Sequence, residues 1–169
     1  MASDELDKVE LPALEQLQSL GWSYVEGAKL SPDESDERSS LKDVVLEKRL
    51  TESLKRINPW INDENLRKVI RELTKTLYPN LIEANQGIWT QINQSVSVMQ
   101  DLGKGNKGQT VHIIDFEHPE NNEFLCTNQF KVSGVNQNII PDILCFVNGL
   151  PLAVIECKSP FITNPIEAG

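Results

Sequence analysis

The chain of 169 residues is 39% apolar and 24% charged, which is ordinary for a globular domain. No apolar run approaches the ~20 residues that a membrane span needs, and the acidic N-terminus is unlike a secretion signal. We therefore expect a cytoplasmic protein without membrane contact. The net charge of −9, with no basic stripe, argues against a chain that grips DNA alone, because phosphate neutralisation supplies most non-specific affinity.

The length fits one domain. We expect residues 1–40 to form an N-terminal arm with a short helix, and residues 41–169 to form the main domain.

Three cysteines, Cys126, Cys145 and Cys157, lie in strand-like segments without paired spacing. Their odd number and the lack of a framework predict reduced, buried thiols. The histidines His112 and His118 do not complete a zinc-type spacing with them, so a zinc site is not expected.

Four helices are predicted in the first part of the chain from apolar residues at helical spacing. They span about residues 12–20, 41–58, 62–77 and 80–94. Residues 1–10 are expected to be frayed. Ser39 or Ser40 is the expected N-cap of the second helix, and Asn58-Pro59 is its expected end.

Strands are predicted in the second part of the chain, after turn residues at 101–109. They span about residues 109–116, 123–132, 140–147 and 152–158. Helices followed by strands indicate the α+β class, and the short connections favour antiparallel pairs.

A glycine-rich loop, GKGNKGQT at 103–110, superficially resembles a phosphate-binding loop. Gln109 stands where such a loop needs its lysine, and a strand follows where a helix is needed. We interpret it as a hairpin loop and expect no ATP site in this chain.

Asp142, Glu156 and Lys158 are charged residues at the ends of two strongly apolar strands that an Asn-Gly turn joins. Two carboxylates within reach of one ion suit Mg²⁺, which could lower the pKa of a bound water, while the lysine steadies an attacked phosphate. This pattern is typical of a metal-dependent phosphodiesterase. The alternative is a salt bridge on an edge strand.

The register of this hairpin poses a geometric problem. A regular two-residue turn at Asn148-Gly149 would pair Asp142 with Ile155, so that Asp142 would face away from Glu156. We therefore predict a bend at Asp142 or a bulge in the ladder. An unbroken hairpin through Asp142 would contradict the metal site.

The stretch IIPDILCFVNGLPLAVIECKSP resembles the nuclease core of the PD-(D/E)xK superfamily. More narrowly, it resembles the N-terminal domain of the R (restriction, motor) subunit of type I restriction–modification enzymes. Shorter matching motifs lie at residues 54–59, 114–116, 119–124 and 128–130, and the resemblance covers about residues 41–160. It implies a restriction-endonuclease-like core, with a mixed sheet of mostly antiparallel hairpins flanked by N-terminal helices.

The resemblance also implies residue roles. Asp142 and Glu156 would bind Mg²⁺, and Lys158 would be the catalytic lysine. In related nucleases a helix glutamate completes the metal site, and Glu83 is our candidate, although a surface helix glutamate is an equally good interpretation.

At the level of the whole protein, the resemblance implies a type I site-specific deoxyribonuclease that cleaves double-stranded DNA in defence against foreign DNA. Its partners would be modification and specificity subunits, and an ATP-driven motor would follow. A glutamine-containing helix usually follows the lysine strand in the family, so we expect this chain to be part of a longer protein.

Two alternatives stay open. One is another PD-(D/E)xK nuclease, acting in repair or recombination. The other is a degenerate nuclease fold that serves only as a docking module and binds no divalent metal.

Overall fold

The computed structural model describes residues 5–74, 80–134, 137–159 and 161. Packing divides the chain into two units. The first contains the described residues up to Leu46 and from Phe124 onward, and the second spans Glu47–Glu123. Helices and a mixed sheet confirm the α+β class. The predicted arm at 1–40 and main domain at 41–169 are not tested by this packing and stay a prediction.

The helical elements begin with a π-helical segment that continues directly into α1. They are the π-helical segment Leu6–Glu10, α1 Leu11–Ser19, a 3₁₀ turn Gly27–Leu30, α2 Glu47–Ile57, α3 Asp63–Thr74, α4 Leu81–Gln94 and a 3₁₀ turn Pro119–Asn121. No helix in the described ranges is long and apolar enough to cross a membrane.

The strands form one larger sheet and two hairpins. They are β1 Ser23–Tyr24, β2 Val96–Asp101, β3 Asn106–Val111, β4 Phe124–Asn128, β5 Val132–Ser133, β6 Asn138–Ile139, β7 Ile143–Val147 and β8 Leu150–Ile155. The larger sheet has the order β1-β4-β7-β8, and β2–β3 and β5–β6 are the two hairpins. Only the β1–β4 pairing is parallel among the described strands, so the expected antiparallel preference is confirmed.

The sheet of the first unit is buried on two faces by alternating side chains of β7. On one face, Leu144 and Phe146 pack with Leu30, Leu46, Leu125 and Phe130. On the other face, Ile143 and Cys145 pack with Leu14, Cys126 and Cys157. Helix α1 therefore covers the second face through Leu14, and β7 lies at the centre of the unit.

The expected frayed start is wrong for the described residues 5–10, because residues 6–10 form the π-helical segment. This segment is fixed by packing rather than by local sequence. Glu10 is buried, and Val9 packs against the cluster around Leu14.

Helix α2 begins at Glu47, six residues later than predicted. The predicted cap residue Ser40 instead stabilises a turn. Its backbone N–H donates to the Asp43 carboxylate at 2.8 Å, and its hydroxyl accepts from the N–H of Lys42 at 3.2 Å. The N–H of Leu46 donates to the carbonyl of Gly149 at 2.9 Å. This long-range bond draws the segment into the first unit before the helix can begin.

Helices α3 and α4 confirm the predicted third and fourth helices, with small shifts at their ends. The buried stripe of α3 is the predicted one, consisting of Leu66, Val69, Ile70 and Leu73. Its predicted last member, Leu77, lies outside the described residues, as does the Tyr78-Pro79 break. Asn80 caps α4 by accepting a hydrogen bond from the N–H of Glu83 at 2.9 Å.

We predicted turn residues throughout 101–109, and this prediction is correct only near the centre of the range. Residues 96–101 and 106–111 pair as a regular antiparallel hairpin, in which Asp101 opposes Asn106. Gly103 and Gly105 provide the positive φ angles of the connection. The glycine-rich stretch is thus a hairpin loop leading into a strand, as we interpreted it. The alternation of buried and exposed residues along β2 was a strand signal that we missed.

The other predicted strands exist but are shorter. Strand β3 ends at Val111, so residues 112–116 of the predicted strand lie outside it. Of the predicted strand at 123–132, residues Phe124–Asn128 form β4, and the strand predicted from residue 140 begins at Ile143 as β7. The last strand, β8, begins two residues early at Leu150 and ends at Ile155, before Glu156.

Asn58 joins two segments of the second unit. Its side chain is fully buried, and its amide nitrogen donates to the carbonyls of Leu54 at 3.0 Å and His112 at 2.8 Å. Its amide oxygen accepts from the N–H of His112 at 2.9 Å. The predicted helix end is therefore also a bridge to the residue that follows β3.

Replacing Asn58 with alanine should lower the free energy of unfolding by about 1–3 kcal/mol, because the backbone groups of His112 lose their partners. Urea denaturation measures this loss. Asn93→Ala is the matched control, since Asn93 is exposed and bonds only within its own helix. Equal midpoints for the two variants would contradict the bridging role.

Candidate active site

The hairpin β7–β8 turns at Asn148 and Gly149, as predicted. Both residues have positive φ angles, 54° and 81°, which is the conformation of a type I′ turn. Val147 pairs with Leu150 across the turn.

A bulge interrupts the ladder beyond this turn. Phe146 pairs with Pro151, but Cys145 pairs with Ala153, so Leu152 is an extra residue in β8. The predicted irregularity is therefore confirmed. Because strand side chains alternate, one extra residue exchanges the faces of every residue that follows it in β8.

Asp142 lies at a bend just before β7, the second irregularity that the hypothesis allowed. Its half-buried carboxylate accepts a hydrogen bond from the backbone N–H of Cys157, with Oδ2 2.7 Å from the nitrogen. The bond joins the two ends of the hairpin and fixes one carboxylate oxygen, while Oδ1 has no hydrogen-bond partner within the described ranges.

Glu156 is brought opposite Asp142 by the register. The outermost ladder pair is Ile143 with Ile155, and one further step along both chains reaches Asp142 and Glu156. Opposed residues share a face. With the regular hairpin, Glu156 would have faced the other way.

Lys158 is half-buried, and Glu156 is exposed. Within the part of the chain that the structure describes, no ion pair joins Lys158 to Asp142 or to Glu156. The alternative of an edge-strand salt bridge thus finds no support in these ranges.

Among the described strands, β8 is an edge of the sheet, and its outer half is more exposed than its apolar sequence suggests. Every residue of β7 is buried, whereas Leu152, Val154 and Ile155 are exposed. The charged residues therefore follow an open edge rather than a strand buried on both faces.

Cys157 is a buried thiol between Glu156 and Lys158. Burial raises its pKa, and the negative charges of Asp142, Glu10, Glu5 and Glu156 raise it further. These four acids are thus close enough to act on one thiol, and the surroundings of the site are strongly acidic.

Two of these acids, Glu5 and Glu10, were missed by the sequence reasoning. Glu5 accepts a hydrogen bond from the N–H of Ser159 at 2.7 Å, and Glu10 is 3% exposed with amide partners from the end of β4. Glu10 precedes Leu14 by four residues and Leu17 by seven, so helical spacing places its charge in line with the apolar face of α1. This position was the sequence feature that could have indicated a buried glutamate.

Glu83 lies in the second unit, in the first turn of α4. Its carboxylate accepts a hydrogen bond from the Asn80 side-chain amide at 2.8 Å. The structure gives it a capping role, and its role at a metal stays a prediction.

Comparison with protein families gives a match over almost the whole chain. A family model described as the type I restriction enzyme R protein N terminus matches residues 3–169. The chain belongs to this family. The family suggested by the motifs is thereby confirmed.

Named relatives of the R protein family agree with this result. The chain is 36% identical over 155 residues to the MjaIXP endonuclease subunit of Methanocaldococcus jannaschii, covering 90% of this chain and 15% of the relative. It is 36% identical over 154 residues to the type I restriction enzyme HindI endonuclease subunit of Haemophilus influenzae, with the same coverage. A second M. jannaschii protein, the MjaVIIIP endonuclease subunit, is 33% identical over 151 residues, which is 87% of this chain and 13% of the relative. The chain thus spans about 15% of the length of the relatives that it matches.

Clusters of three or more potential metal ligands are not found among the described residues of this R protein N terminus. The candidate donors at the open end of the hairpin are two carboxylates, those of Asp142 and Glu156. Mg²⁺ commonly takes one or two carboxylates and keeps several waters, so a two-carboxylate donor set is compatible with this ion.

The three thiols are free and buried, as predicted. Burial, with a smaller effect of Cys145, raises the pKa of Cys126 from 9.0 to about 11. Burial also raises the pKa of Cys145. These cysteines are therefore protonated packing residues at neutral pH.

Alkali should destabilise the fold through Cys126. Below pH 9 the Cys126 thiol is protonated in both the folded and the unfolded state, so its contribution to the free energy of unfolding is constant. As the pH rises from 9 towards 11, the thiol ionises in the unfolded chain before it ionises in the folded protein, and this contribution to stability is lost. Denaturation at pH 8 and at about pH 10.5 should show this loss, of about 2 kcal/mol. Cys126→Ala should have a shallower pH dependence than the unchanged protein, and identical slopes would contradict the assignment.

Proposed function

We propose that this chain is the endonuclease domain of a type I restriction enzyme R subunit. In this proposal it cleaves double-stranded DNA in a Mg²⁺-dependent reaction, with Asp142 and Glu156 as metal ligands and Lys158 as the catalytic lysine. The observation that carries the proposal is the bulge at Leu152, which turns Glu156 to the position opposite Asp142 in a chain of this family.

The donor chemistry supports magnesium. Both ligands are carboxylates, and hard oxygen donors are those that Mg²⁺ prefers. The hydrogen bond from Cys157 holds one oxygen of Asp142 and leaves Oδ1 for an ion. When bound, the ion would polarise a phosphoryl oxygen and lower the pKa of a coordinated water.

Lys158 has a separate task in the proposed reaction. It follows Glu156 by two positions, so an extended backbone places both side chains on one side of the chain. Its ammonium group has three donors and no acceptor. It can therefore hold the developing charge of the attacked phosphate or orient the attacking water.

The negative charge of the site and of the whole chain disfavours DNA binding by this domain alone. The net charge is −9, and four acids lie close to Cys157. Phosphate would be repelled from such a surface in the absence of a cation. We therefore propose that the rest of the R subunit, with the modification and specificity subunits, supplies the grip on DNA and the ATP-driven movement.

The test uses the complete restriction enzyme with Asp142→Asn, Glu156→Gln or Lys158→Ala in the R subunit. The asparagine variant keeps an acceptor for the Cys157 N–H but removes the charge. Each change should lower double-strand cleavage by about two to three orders of magnitude, because each removes charge stabilisation at the reacting phosphate. DNA-dependent ATP hydrolysis should be retained.

Matched controls are Asp33→Asn, Glu15→Gln and Lys131→Ala, which make the same changes at exposed residues of the same unit. They should cleave normally. Normal cleavage by all three site variants would refute the proposal and favour a docking module with a degenerate nuclease fold.

A further inference from the structure

We propose that Glu10 is a positioning residue for Asp142, acting through Asn128 and Gln129 at the end of β4. The inference rests on the proposed function, since it assigns a supporting residue to that same site. We call the backbone turn at Asn128 and Gln129 the corner. Glu10 binds the side chains of both residues, and the backbone N–H of Gln129 binds the carbonyl of Asp142.

The contacts of Glu10 are two side-chain amides. Asn128 Nδ2 donates to Oε1 at 2.9 Å, and Gln129 Nε2 donates to Oε2 at 3.4 Å. The amide oxygen of Asn128 in turn accepts from the hydroxyl of Tyr24 at 2.8 Å. Glu10 therefore binds both residues of the corner and is the link between them.

The corner itself is strained. Gln129 has a φ of 51°, in the left-handed region that is sterically unfavourable for a residue with a side chain. Gly27 packs so closely against this corner that a Cβ on it would lie 2.2 Å from the carbonyl oxygen of Asn128. Such a conformation persists only when its surroundings enforce it, and Glu10, Tyr24 and Gly27 provide these surroundings.

The strained residue is bonded to the candidate site. The N–H of Gln129 donates to the carbonyl of Asp142 at 3.1 Å, one position beyond the last ladder pair between Asn128 and Ile143. Phe130, the next residue, is fully buried in the core, so a change of φ at Gln129 would have to be offset by rotation of the peptide unit between Asn128 and Gln129, and that rotation would turn this N–H away from Asp142. The bend at Asp142 thus depends on a backbone conformation that Glu10 stabilises.

The π-helical winding explains how Glu10 reaches this corner while Glu5 bonds to Ser159, just after Lys158. In an α-helix, five residues advance about 140° beyond a full turn, which would point the two glutamates in different directions. A π-helical turn closes on the fifth residue and brings them towards one side. The same segment is therefore anchored next to both ends of the proposed triad.

Burying a carboxylate here is unfavourable for stability alone. An apolar residue would complete the stripe of α1 at a lower desolvation cost, and replacing buried charges by apolar groups is often neutral or stabilising. This energetic argument favours a role in orientation over a role in packing.

The experiment measures cleavage by the complete restriction enzyme with Glu10→Ala, Glu10→Gln, Gln129→Gly and the double variant Glu10→Ala/Gln129→Gly. Glu15→Ala, at an exposed position of the helix α1 that follows directly, is the control. Glycine adopts a positive φ without strain and keeps its N–H, so it can hold Asp142 without help from Glu10.

Glu10→Ala should lower cleavage by about 10–100-fold with ATP hydrolysis retained, the usual effect of losing an outer partner of a metal site. Glu10→Gln keeps one acceptor and should lose less. Gln129→Gly should restore most of the cleavage lost in Glu10→Ala. Failure of this rescue, or equal losses in Glu10→Gln and Glu10→Ala, would overturn the inference and indicate a direct role of the charge.

Hydrogen exchange of the full-length R subunit gives a readout independent of cleavage. The Gln129 amide should lose protection in Glu10→Ala, and unchanged protection would overturn the inference. If Asp142→Asn abolishes cleavage while Glu10→Ala does not lower it, this inference alone fails. Normal cleavage by all three enzymes with Asp142→Asn, Glu156→Gln or Lys158→Ala would instead overturn the proposed function and the inference with it.

Discussion

The extra residue in β8 is the constraint on which the candidate site depends. Strand side chains point alternately to the two faces of a sheet. If Leu152 were paired instead of bulged out, Asp142 would lie opposite Ile155, and Glu156 would lie on the other face from Asp142. The bulge instead carries the register to a final pair of Ile143 and Ile155. The hydrogen bond from the Cys157 N–H to the Asp142 carboxylate then closes the open end of the hairpin at 2.7 Å. Two apolar strands thereby end in opposed carboxylates.

Local patterns predicted those elements whose partners are near in sequence. The stripe of α3 and the turn at Asn148-Gly149 are each determined within a few residues. The requirement for a bulge also followed from the sequence, because it came from counting positions between Asp142 and Glu156 around a turn of known type.

Elements that depend on distant partners could not be predicted in this way. The short strand Ser23–Tyr24 exists because it pairs in parallel with β4, about a hundred residues later. The cap at Ser40 failed to start a helix because Leu46 is bonded to Gly149. Glu10 shows the same limit at the site: its position in a buried stripe was visible, but its partners Asn128 and Gln129 were not. Propensity is a weak prior, and long-range bonds override it where they compete.

Cys157 shows how packing can orient the proposed site residues beyond the end of a strand. Regular pairing ends at Ile155, so no ladder bond from the described strands fixes Glu156 or Lys158. The thiol between them is buried with Leu14 and Ile143, and the backbone N–H of the same residue is bonded to Asp142. On an extended backbone, a side chain held in the core places the side chains of the residues before and after it on the opposite side. A small, neutral residue suits this position, because burial and the four nearby acids both raise the thiol pKa and disfavour a further negative charge. The orientation of the proposed triad therefore depends on an uncharged residue as much as on its charged members.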